Sequence, residues 1–307
     1  MVIDKNKVKR NKSWDKFFRY FFMAMALLSS SFIVIIILFV CSKGISPFLP
    51  NYEYGQVDFI SFLTGTVYRQ DQGIYGVGFI VINTILSAFL ALLIAFPISV
   101  LTALFIAKIA PKKLGAIMQN VVELLASVPS IVYGVFAAGV ITEIVKYLAS
   151  LFGYSTFGGS SLLAVIMLLA IMIFPTLTSL SITAIRSVDP SLEHASLALG
   201  ATETQTNFKV VLTTAKSGIF AGAILGLGRA YGEATAVAMV AGNKLFGPTF
   251  NPFDITRTLT STMLAGLKET TGLDYDIRFS VGLVLIVIIF VSNFILNFVK
   301  KRIGNTV

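Results

Sequence analysis

Cysteine, histidine and charged side chains are scarce in this sequence of 307 residues. The chain has one cysteine, Cys41, and one histidine, His194, so it can form neither an internal disulfide nor a zinc or iron–sulfur site of the usual ligand sets. Charged residues make up 13% of the chain, about half the share typical of soluble domains. Since 56% of the residues are hydrophobic, a soluble globule could not cover its surface with so little charge. The composition indicates an integral membrane protein without a metal site.

Long stretches without charge predict membrane-spanning helices, because about 20 apolar residues in a helix cross a bilayer core. We predict an all-α polytopic membrane protein with six transmembrane helices. The predicted helices lie near 20–42, 79–107, 121–142, 161–185, 217–242 and 279–299. A basic cytoplasmic tail, 1–19, precedes the first helix. An outer loop, 43–72, then leads to a membrane domain over 73–302.

Lysine and arginine are distributed unequally between the two sides that six spans define. With the N-terminus in the cytoplasm, 16 of the 24 basic residues fall on the cytoplasmic side, 7 fall outside and Arg229 lies within a span. This positive-inside bias predicts that both termini are cytoplasmic and that the protein resides in the cell membrane. It also accounts for the basic composition without nucleic acid as a partner, because the tail is suited to the anionic surface of the lipid bilayer.

Prolines and glycines lie inside the predicted spans, where they favour bending and close packing. Three spans contain one proline each: Pro97, Pro129 and Pro175. Proline frees a backbone carbonyl and kinks a helix, and both ordinary bending and movement during gating are open interpretations. In the fifth span a stripe of small residues recurs every four positions: Gly218, Gly222 and Gly226. Such a stripe lets two helices approach closely.

Arg229 and Glu233 are the ionisable residues of the fifth span. Arg229 lies 13 residues after Lys216 and 15 before Lys244, which places it near the middle of the membrane. A charge at this depth costs at least about 2.5–3.5 kcal/mol on insertion scales, so it indicates a functional site. An arginine fork suits an oxyanion, and Glu233 can accept a hydrogen bond from a protonated anion such as hydrogenphosphate. A bundle-stabilising ion pair between the two side chains is the alternative.

The predicted cytoplasmic loop, 186–216, has the pattern of two short helices joined at a glycine. Asp189 supplies a capping acceptor directly before a proline. Gly200 suits the left-handed geometry that ends a helix, and Thr202 with Gln205 predicts a capping box for the second helix. This arrangement is typical either of a docking surface for a soluble partner or of a linker on the membrane surface.

The same loop resembles the EAA loop of type I ABC importer permeases, the MetI-like family. The segment Glu193-His-Ala195-Ser-Leu-Ala-Leu-Gly200-Ala201, followed by Phe208, matches that pattern, although a histidine and a threonine replace an alanine and a proline. In that family the loop forms the coupling helices that sit in a cleft of the ATPase subunit. The resemblance therefore implies that Glu193, Ala195, Gly200, Ala201 and Phe208 belong to an ATPase coupling loop.

Other stretches resemble one branch of that family, the phosphate-specific permeases PstC. The matching stretches are 123–134, 172–176 and 226–243, with Ala234 where PstC sequences often have threonine. The resemblance covers about 72–302. It implies that Arg229 and Glu233 take part in substrate translocation and that the substrate is inorganic phosphate.

The resemblance also implies the partners and the energy source. It implies a heterodimer with a PstA-type permease, a PstB-type ATPase dimer in the cytoplasm and a PstS-type phosphate-binding protein outside. The chain contains no Gly-Lys dipeptide, and hence no Walker A loop, so ATP must be bound by a partner subunit. We therefore expect a transport subunit with no enzymatic activity and no cofactor of its own.

Three other functions stay open on the sequence. Within the ABC importers, the substrate could be another oxyanion such as molybdate or sulfate. An ion-coupled secondary carrier is a second alternative, although such carriers usually have several ionisable groups at mid-membrane and an inverted repeat. A signalling or scaffold membrane protein, with the loop as a docking surface and no transport, is the third.

Overall fold

A computed structural model of the protein describes residues 5–304, with side chains described from residue 14 to residue 302. Within this part of the chain, six helical stretches are long and apolar enough to cross a membrane. They are Trp14–Phe48, Gly78–Ile109, Ser130–Leu151, Leu162–Arg186, Glu203–Gly232 and Leu273–Arg302. The predicted all-α fold with six spans is therefore confirmed. The predicted basic tail, 1–19, lies partly outside the described residues.

Thirteen α-helices and one short hairpin make up the described chain. The helices are α1 Lys5–Ile45, α2 Phe59–Thr64, α3 Gly78–Leu104, α4 Lys112–Ser127, α5 Ser130–Phe136, α6 Thr142–Leu151, α7 Leu162–Arg186, α8 Pro190–Ala198, α9 Glu203–Gln205, α10 Leu212–Gly232, α11 Thr235–Val240, α12 Leu259–Leu264 and α13 Leu273–Gly304. The π-helical turns Phe105–Ile109, Ala137–Ile141 and Thr206–Val211 follow α3, join α5 to α6, and precede α10.

The two strands β1 (Tyr68–Arg69) and β2 (Ile74–Tyr75) pair antiparallel, with Tyr68 opposite Tyr75 and Arg69 opposite Ile74. They mark one end of the helix bundle, which we call the hairpin end. The opposite end, which we call the α8 end, holds α8 and α9. Each long helix runs from one end to the other, so successive spans alternate in direction.

Helix α7 lies at the centre of the bundle, in contact with α3 and α10. In its most apolar window 67% of the residues are buried, whereas none is buried in the corresponding window of α1. Helix α1 packs on α13 near the hairpin end, where Ser280 donates a hydrogen bond to the carbonyl of Gly44 at 2.7 Å. The protein therefore has a central helix and a peripheral first helix.

The three predicted kink prolines occupy two different settings. Pro97 and Pro175 lie inside α3 and α7, and each helix continues through its proline. Pro129 instead separates α4 from α5, and Val128 before it has extended backbone because a residue preceding proline avoids the helical region. The third span consequently begins at Ser130, later in the chain than the predicted 121–142.

Segments between the spans close the hairpin end. Tyr68 of β1 donates its backbone N–H to the carbonyl of Leu245 at 2.8 Å, and Leu162 at the start of α7 donates to Asp254 at 2.9 Å. At the start of α12, the N–H of Leu259 donates to the hydroxyl of Thr84 on α3 at 3.0 Å. The loop between α11 and α12 is thereby fixed to the hairpin and to two central helices.

Candidate functional site

The fifth span is interrupted between α10 and α11. Helix α10 ends at Gly232, Glu233 has extended backbone with φ −77° and ψ 113°, and α11 begins at Thr235. The prediction of a single helix over 217–242 is therefore wrong. Irregular backbone inside a membrane span is tolerated where the protein binds the freed groups or where they line a cavity. Here the hydroxyl of Thr260 on α12 donates to the carbonyl of Glu233 at 2.7 Å.

The carboxylate of Glu233 caps the helix that follows the break. Its Oε1 accepts the backbone N–H of Ala236 at 2.9 Å, as a capping side chain does. Among the ion pairs of the described residues, none joins Glu233 to Arg229. The reason is that α10 ends before Glu233, so the two residues do not have the one-turn spacing of a continuous helix. The predicted alternative of a bundle-stabilising ion pair is therefore wrong.

The guanidinium of Arg229 contacts the central helix α7. Its Nη1 donates to the hydroxyl of Thr176 at 2.7 Å, and Thr176 directly follows Pro175. Arg229 is half-buried, and this is the only hydrogen bond that its side chain makes within the described residues. The other N–H donors of the guanidinium are therefore available to a ligand.

The glycine stripe of α10 faces α7 and brings Arg229 to this position. A Cβ atom added at Gly218 would lie 2.6 Å from the Cβ of Ala184, and one added at Gly226 would lie 2.8 Å from a methyl group of Ile173. At Gly222 the corresponding distance, to Leu177, is 3.1 Å. Larger side chains would therefore separate the two helices and move Arg229 away from Thr176.

The loop at the α8 end has the predicted local structure. The Asp189 side chain accepts the N–H of Ser191 at 2.8 Å and the proline follows at the first helical position. Gly200 has a φ of +86°, and Thr202 with Gln205 forms a capping box. The two capping predictions and the left-handed glycine are confirmed.

Contacts from two directions position α8, although none of its residues is buried. Glu193 forms an ion pair with Lys108 in the π-helical turn after α3. The hydroxyl of Ser196 lies 2.9 Å from that of Thr206, in the π-helical turn before α10. The helix is thus held against two spans while its outer surface stays open.

Several large apolar side chains are exposed on this surface. Leu199 is 90% exposed, and Phe208, Leu192 and Leu197 are between 42% and 48% exposed. Ala195 is exposed as well, and Ala201 is partly exposed. Exposed apolar groups of this kind are typical of surfaces that contact another protein or a membrane.

Sequence reasoning did not find two residues of these sites. Thr176, the partner of Arg229, lies 53 residues away along the chain, and its only signal was its place in the stretch 172–176. Lys108, the partner of Glu193, was counted only as a basic residue. Among the described residues, no group of three or more His, Cys, Asp or Glu is placed to hold a metal ion.

Comparison with known proteins gives the family. The model of the binding-protein-dependent transport system inner membrane component matches residues 95–306. The chain is 35% identical to the probable ABC transporter permease protein YqgH of Bacillus subtilis, covering 91% of this chain and 88% of that protein. It is 32% identical to the probable phosphate transport system permease protein PstC of Methanocaldococcus jannaschii, covering 88% of this chain and 90% of that protein.

Solved structures share the fold. A chain of a bacterial ABC transporter involved in the import of the acidic polysaccharide alginate aligns with a TM-score of 0.62 at 20% identity, over 96% of this chain and 100% of that chain. An inward-facing form of the MetNI methionine ABC transporter aligns with a TM-score of 0.52 at 21% identity, over 74% and 94% of the two chains. The chain belongs to the binding-protein-dependent transport system inner membrane components, the MetI-like permeases of type I ABC importers.

Proposed function

We propose that this chain is one permease half of an importer for inorganic phosphate and that Arg229 contacts the translocating anion. The observation that supports this most is the setting of Arg229, a half-buried guanidinium with one protein hydrogen bond, beside a break in a membrane span. Relatives named as phosphate transport permeases, at 30% and 32% identity, support the choice of phosphate.

The chemistry of the site favours a protonated oxyanion. Two parallel N–H donors of Arg229 match two oxygens of a tetrahedral oxyanion. Glu233 uses Oε1 to cap α11, and its Oε2 accepts no hydrogen bond within the described residues. That oxygen can accept a hydrogen bond from the O–H group of hydrogenphosphate. Sulfate and molybdate are fully ionised at neutral pH, have no such donor and would be repelled. In this proposal Arg229 attracts the anion, and Glu233 selects protonated oxyanions over fully ionised ones.

The α8 end is the proposed docking surface for the ATPase. Members of this family are membrane components of importers rather than enzymes, and they act with an ATPase and a substrate-binding protein. The exposed surface around Leu199 and Phe208 then binds in a PstB-type ATPase subunit. Glu193, Ala195, Gly200 and Ala201 shape α8 and the turn that joins it to α9. ATP is bound by that partner, and this chain contributes no ATPase residue.

The remaining parts of the assembly follow from the same orientation. The α8 end and both termini are cytoplasmic in this proposal, as the positive-inside bias favours. The hairpin end faces outward, where a PstS-type protein delivers phosphate, and a PstA-type permease completes the pathway. The domain bounds 1–19, 20–42, 43–72 and 73–302 describe the tail, the first span, the outer loop and the permease domain in this scheme.

Competition in uptake assays tests the proposal. Cells or proteoliposomes with the complete transporter take up labelled phosphate in the presence of excess unlabelled arsenate, sulfate or molybdate. Arsenate, which is protonated near neutral pH, should compete, and sulfate and molybdate should not. Strong competition by sulfate or molybdate would support an importer of that oxyanion instead. Uptake that continues without the ATPase subunit would support a secondary carrier.

A further inference from the structure

Two arginines are buried at the hairpin end, outside the site around Arg229. Arg257 precedes α12 and is 3% exposed, and Arg278 lies in the second turn of α13 and is 2% exposed. Both contact Thr262 of α12. The Nε of Arg257 donates to its hydroxyl at 2.9 Å, and the Nη1 of Arg278 donates to its carbonyl at 2.9 Å. Two positive charges therefore lie close together inside the protein.

No carboxylate pairs with either arginine in the part of the chain that the structure describes. The acidic side chains at the start of α13 are bound by tyrosines, Asp274 by Tyr75 at 2.7 Å and Asp276 by Tyr52 at 2.8 Å. Burial lowers the pKa of Arg257 to about 10, which leaves the guanidinium charged at neutral pH. A buried charge without a partner is strongly unfavourable, so this pair of cations favours a bound anion.

The neutral polar groups beside the arginines have donors that no acceptor among the described residues satisfies. The Cζ of Arg257 lies 4.5 Å from the ring centroid of Tyr68, whose side chain is 1% exposed and whose buried hydroxyl has no hydrogen-bond partner in the described part of the chain. Gln70 accepts from Arg278 through Oε1 at 3.4 Å, and its buried Nε2 has no partner among the same residues. We call Arg257, Arg278, Tyr68 and Gln70 the arginine cluster. Its chemistry, cations and unused donors, is that of an oxyanion site.

The two arginines differ in how firmly the protein holds them. Arg278 also donates to the carbonyl of Ala265 and, at 3.2 Å, to the hydroxyl of Thr270, so its guanidinium is fixed to the end of α12. Arg257 makes one hydrogen bond, to Thr262, within the described residues. Arg257 is therefore the residue with donors to spare, and Arg278 supplies fixed positive charge beside it.

A cavity of about 330 Å³ lies between Arg278 and the helix break, and Arg278 is the one member of the arginine cluster in its lining. Arg278 and Thr260 line one part of it, and Gly232 and Ala234, the neighbours of Glu233, line another. Thr260 also donates to the carbonyl of Glu233. The cavity therefore joins the Arg278 side of the arginine cluster to the break between α10 and α11, and most of its remaining lining is apolar.

We propose that the arginine cluster is a second anion-binding site, which takes a tetrahedral oxyanion at the hairpin end before the anion reaches Arg229. The proposal rests on the proposed function, because it takes that oxyanion to be the transported phosphate. Arg257 and the hydroxyl of Tyr68 contact the anion. Arg278 positions α12 and adds positive charge. Two cationic sites in sequence let the anion leave the aqueous side in two smaller steps.

Binding to the purified transporter complex tests the site without the binding protein present. The Arg229→Ala complex removes the other anion contact, and equilibrium dialysis with labelled phosphate measures what binding is left. Phosphate should still bind this complex, and adding Arg257→Gln should weaken that binding at least about tenfold, as loss of a charge-assisted hydrogen bond does. Arg69→Gln, at a partly exposed arginine of β1 outside the cluster, is the matched control and should leave binding unchanged.

Tyr68→Phe gives the sharper variant, because it keeps the ring under Arg257 and removes only the hydroxyl. If the hydroxyl is simply a buried group without a partner, its removal should leave phosphate binding unchanged and not lower the melting temperature. If it contacts the anion, phosphate binding should weaken about three- to tenfold with the melting temperature unchanged.

Three outcomes separate this proposal from the proposed function. Phosphate binding that is insensitive to both Arg257→Gln and Tyr68→Phe, in complexes that fold, overturns the second site and leaves phosphate import to the uptake assays. If phosphate binding is insensitive and the binding of sulfate and molybdate is insensitive to both variants as well, the second site is overturned for every oxyanion tested. Binding of sulfate or molybdate rather than phosphate, lost in Arg257→Gln, supports the site and counts against phosphate as the transported ion.

Discussion

Arg229 and Glu233 are four residues apart in the chain, yet their side chains bind different helices. Arg229 donates to Thr176 on α7 at 2.7 Å, and Glu233 accepts from the backbone of Ala236 in α11 at 2.9 Å. The end of α10 at Gly232 separates them. No ion pair joins the two side chains within the described residues, so the glutamate does not neutralise the arginine and has a structural role of its own at the start of α11.

Replacement of Arg229 should reveal its role through the difference between two variants. Arg229→Ala should abolish phosphate uptake while the complex still assembles. Arg229→Lys should reduce the uptake rate about tenfold or more, because an ammonium does not reproduce the paired donors of a guanidinium. The measurement is initial uptake rate normalised to complex in the membrane. Arg69→Lys serves as control, and near wild-type uptake in Arg229→Lys would show that charge alone suffices.

Glu233 allows its capping role to be separated from its charge. In Glu233→Gln the amide oxygen can still accept the N–H of Ala236, so we expect an unchanged melting temperature, with phosphate selectivity over sulfate reduced. In Glu233→Ala the cap is lost, at a cost of about 0.5–2 kcal/mol, so the melting temperature should fall as well. Thermal unfolding and competition by sulfate measure the two effects. Unaltered selectivity in Glu233→Gln would leave the glutamate with capping alone.

Gly200 should be essential for coupling rather than for folding. Its φ of +86° is costly for any residue with a side chain, and most costly for a β-branched one, although a Cβ there would meet open space. Gly200→Val should therefore insert normally but hydrolyse ATP without phosphate uptake. Gly139→Val is the matched control, because its Cβ also meets open space and its backbone is helical. Coupled transport in Gly200→Val would show that the left-handed turn between α8 and α9 is not required for coupling.

The ion pair between Lys108 and Glu193 should tolerate reversal. Both side chains are about one-fifth exposed, so the attraction is partly screened and each single reversal should reduce uptake only severalfold. The double variant Lys108→Glu with Glu193→Lys should recover part of that loss, as measured by a double-mutant cycle on uptake rates. If reversal of both charges is worse than the product of the single effects, Glu193 acts on the ATPase and not on Lys108.

The orientation of the chain can be read by cysteine labelling. In a Cys41→Ser background, cysteines placed at the exposed positions Asp58 and Glu143, at the hairpin end, should react with an impermeant reagent from outside. A cysteine at Glu203, at the α8 end, should react only after the membrane is opened. Labelling of Glu203→Cys in intact cells would invert the proposed topology.

The parts of this structure that follow from local sequence could be predicted, and those that depend on distant contacts could not. Hydrophobic runs determine six spans, and Asp189 and Gly200 have local chemistry that specifies caps and turns. No proline marks the break after Gly232, and the residue that stabilises it, Thr260, lies 27 residues after Glu233 in the chain. The arginine cluster combines residues from β1 and the turn after it, from α13 and from the segment before α12, so only the folded chain brings them together.

The position of α1 has a consequence for how the protein is made. Its contacts with the bundle are with α13, and the hydrogen bond between Gly44 and Ser280 joins residues 236 positions apart. The first of the six described spans therefore packs against the sixth. Because α13 follows the other spans in the chain, the contact between α1 and α13 can form only after α3, α7 and α10 have been synthesised. Closure of the hairpin end, including the ion pair between Lys43 and Asp276, therefore requires that the start of α13 has been synthesised.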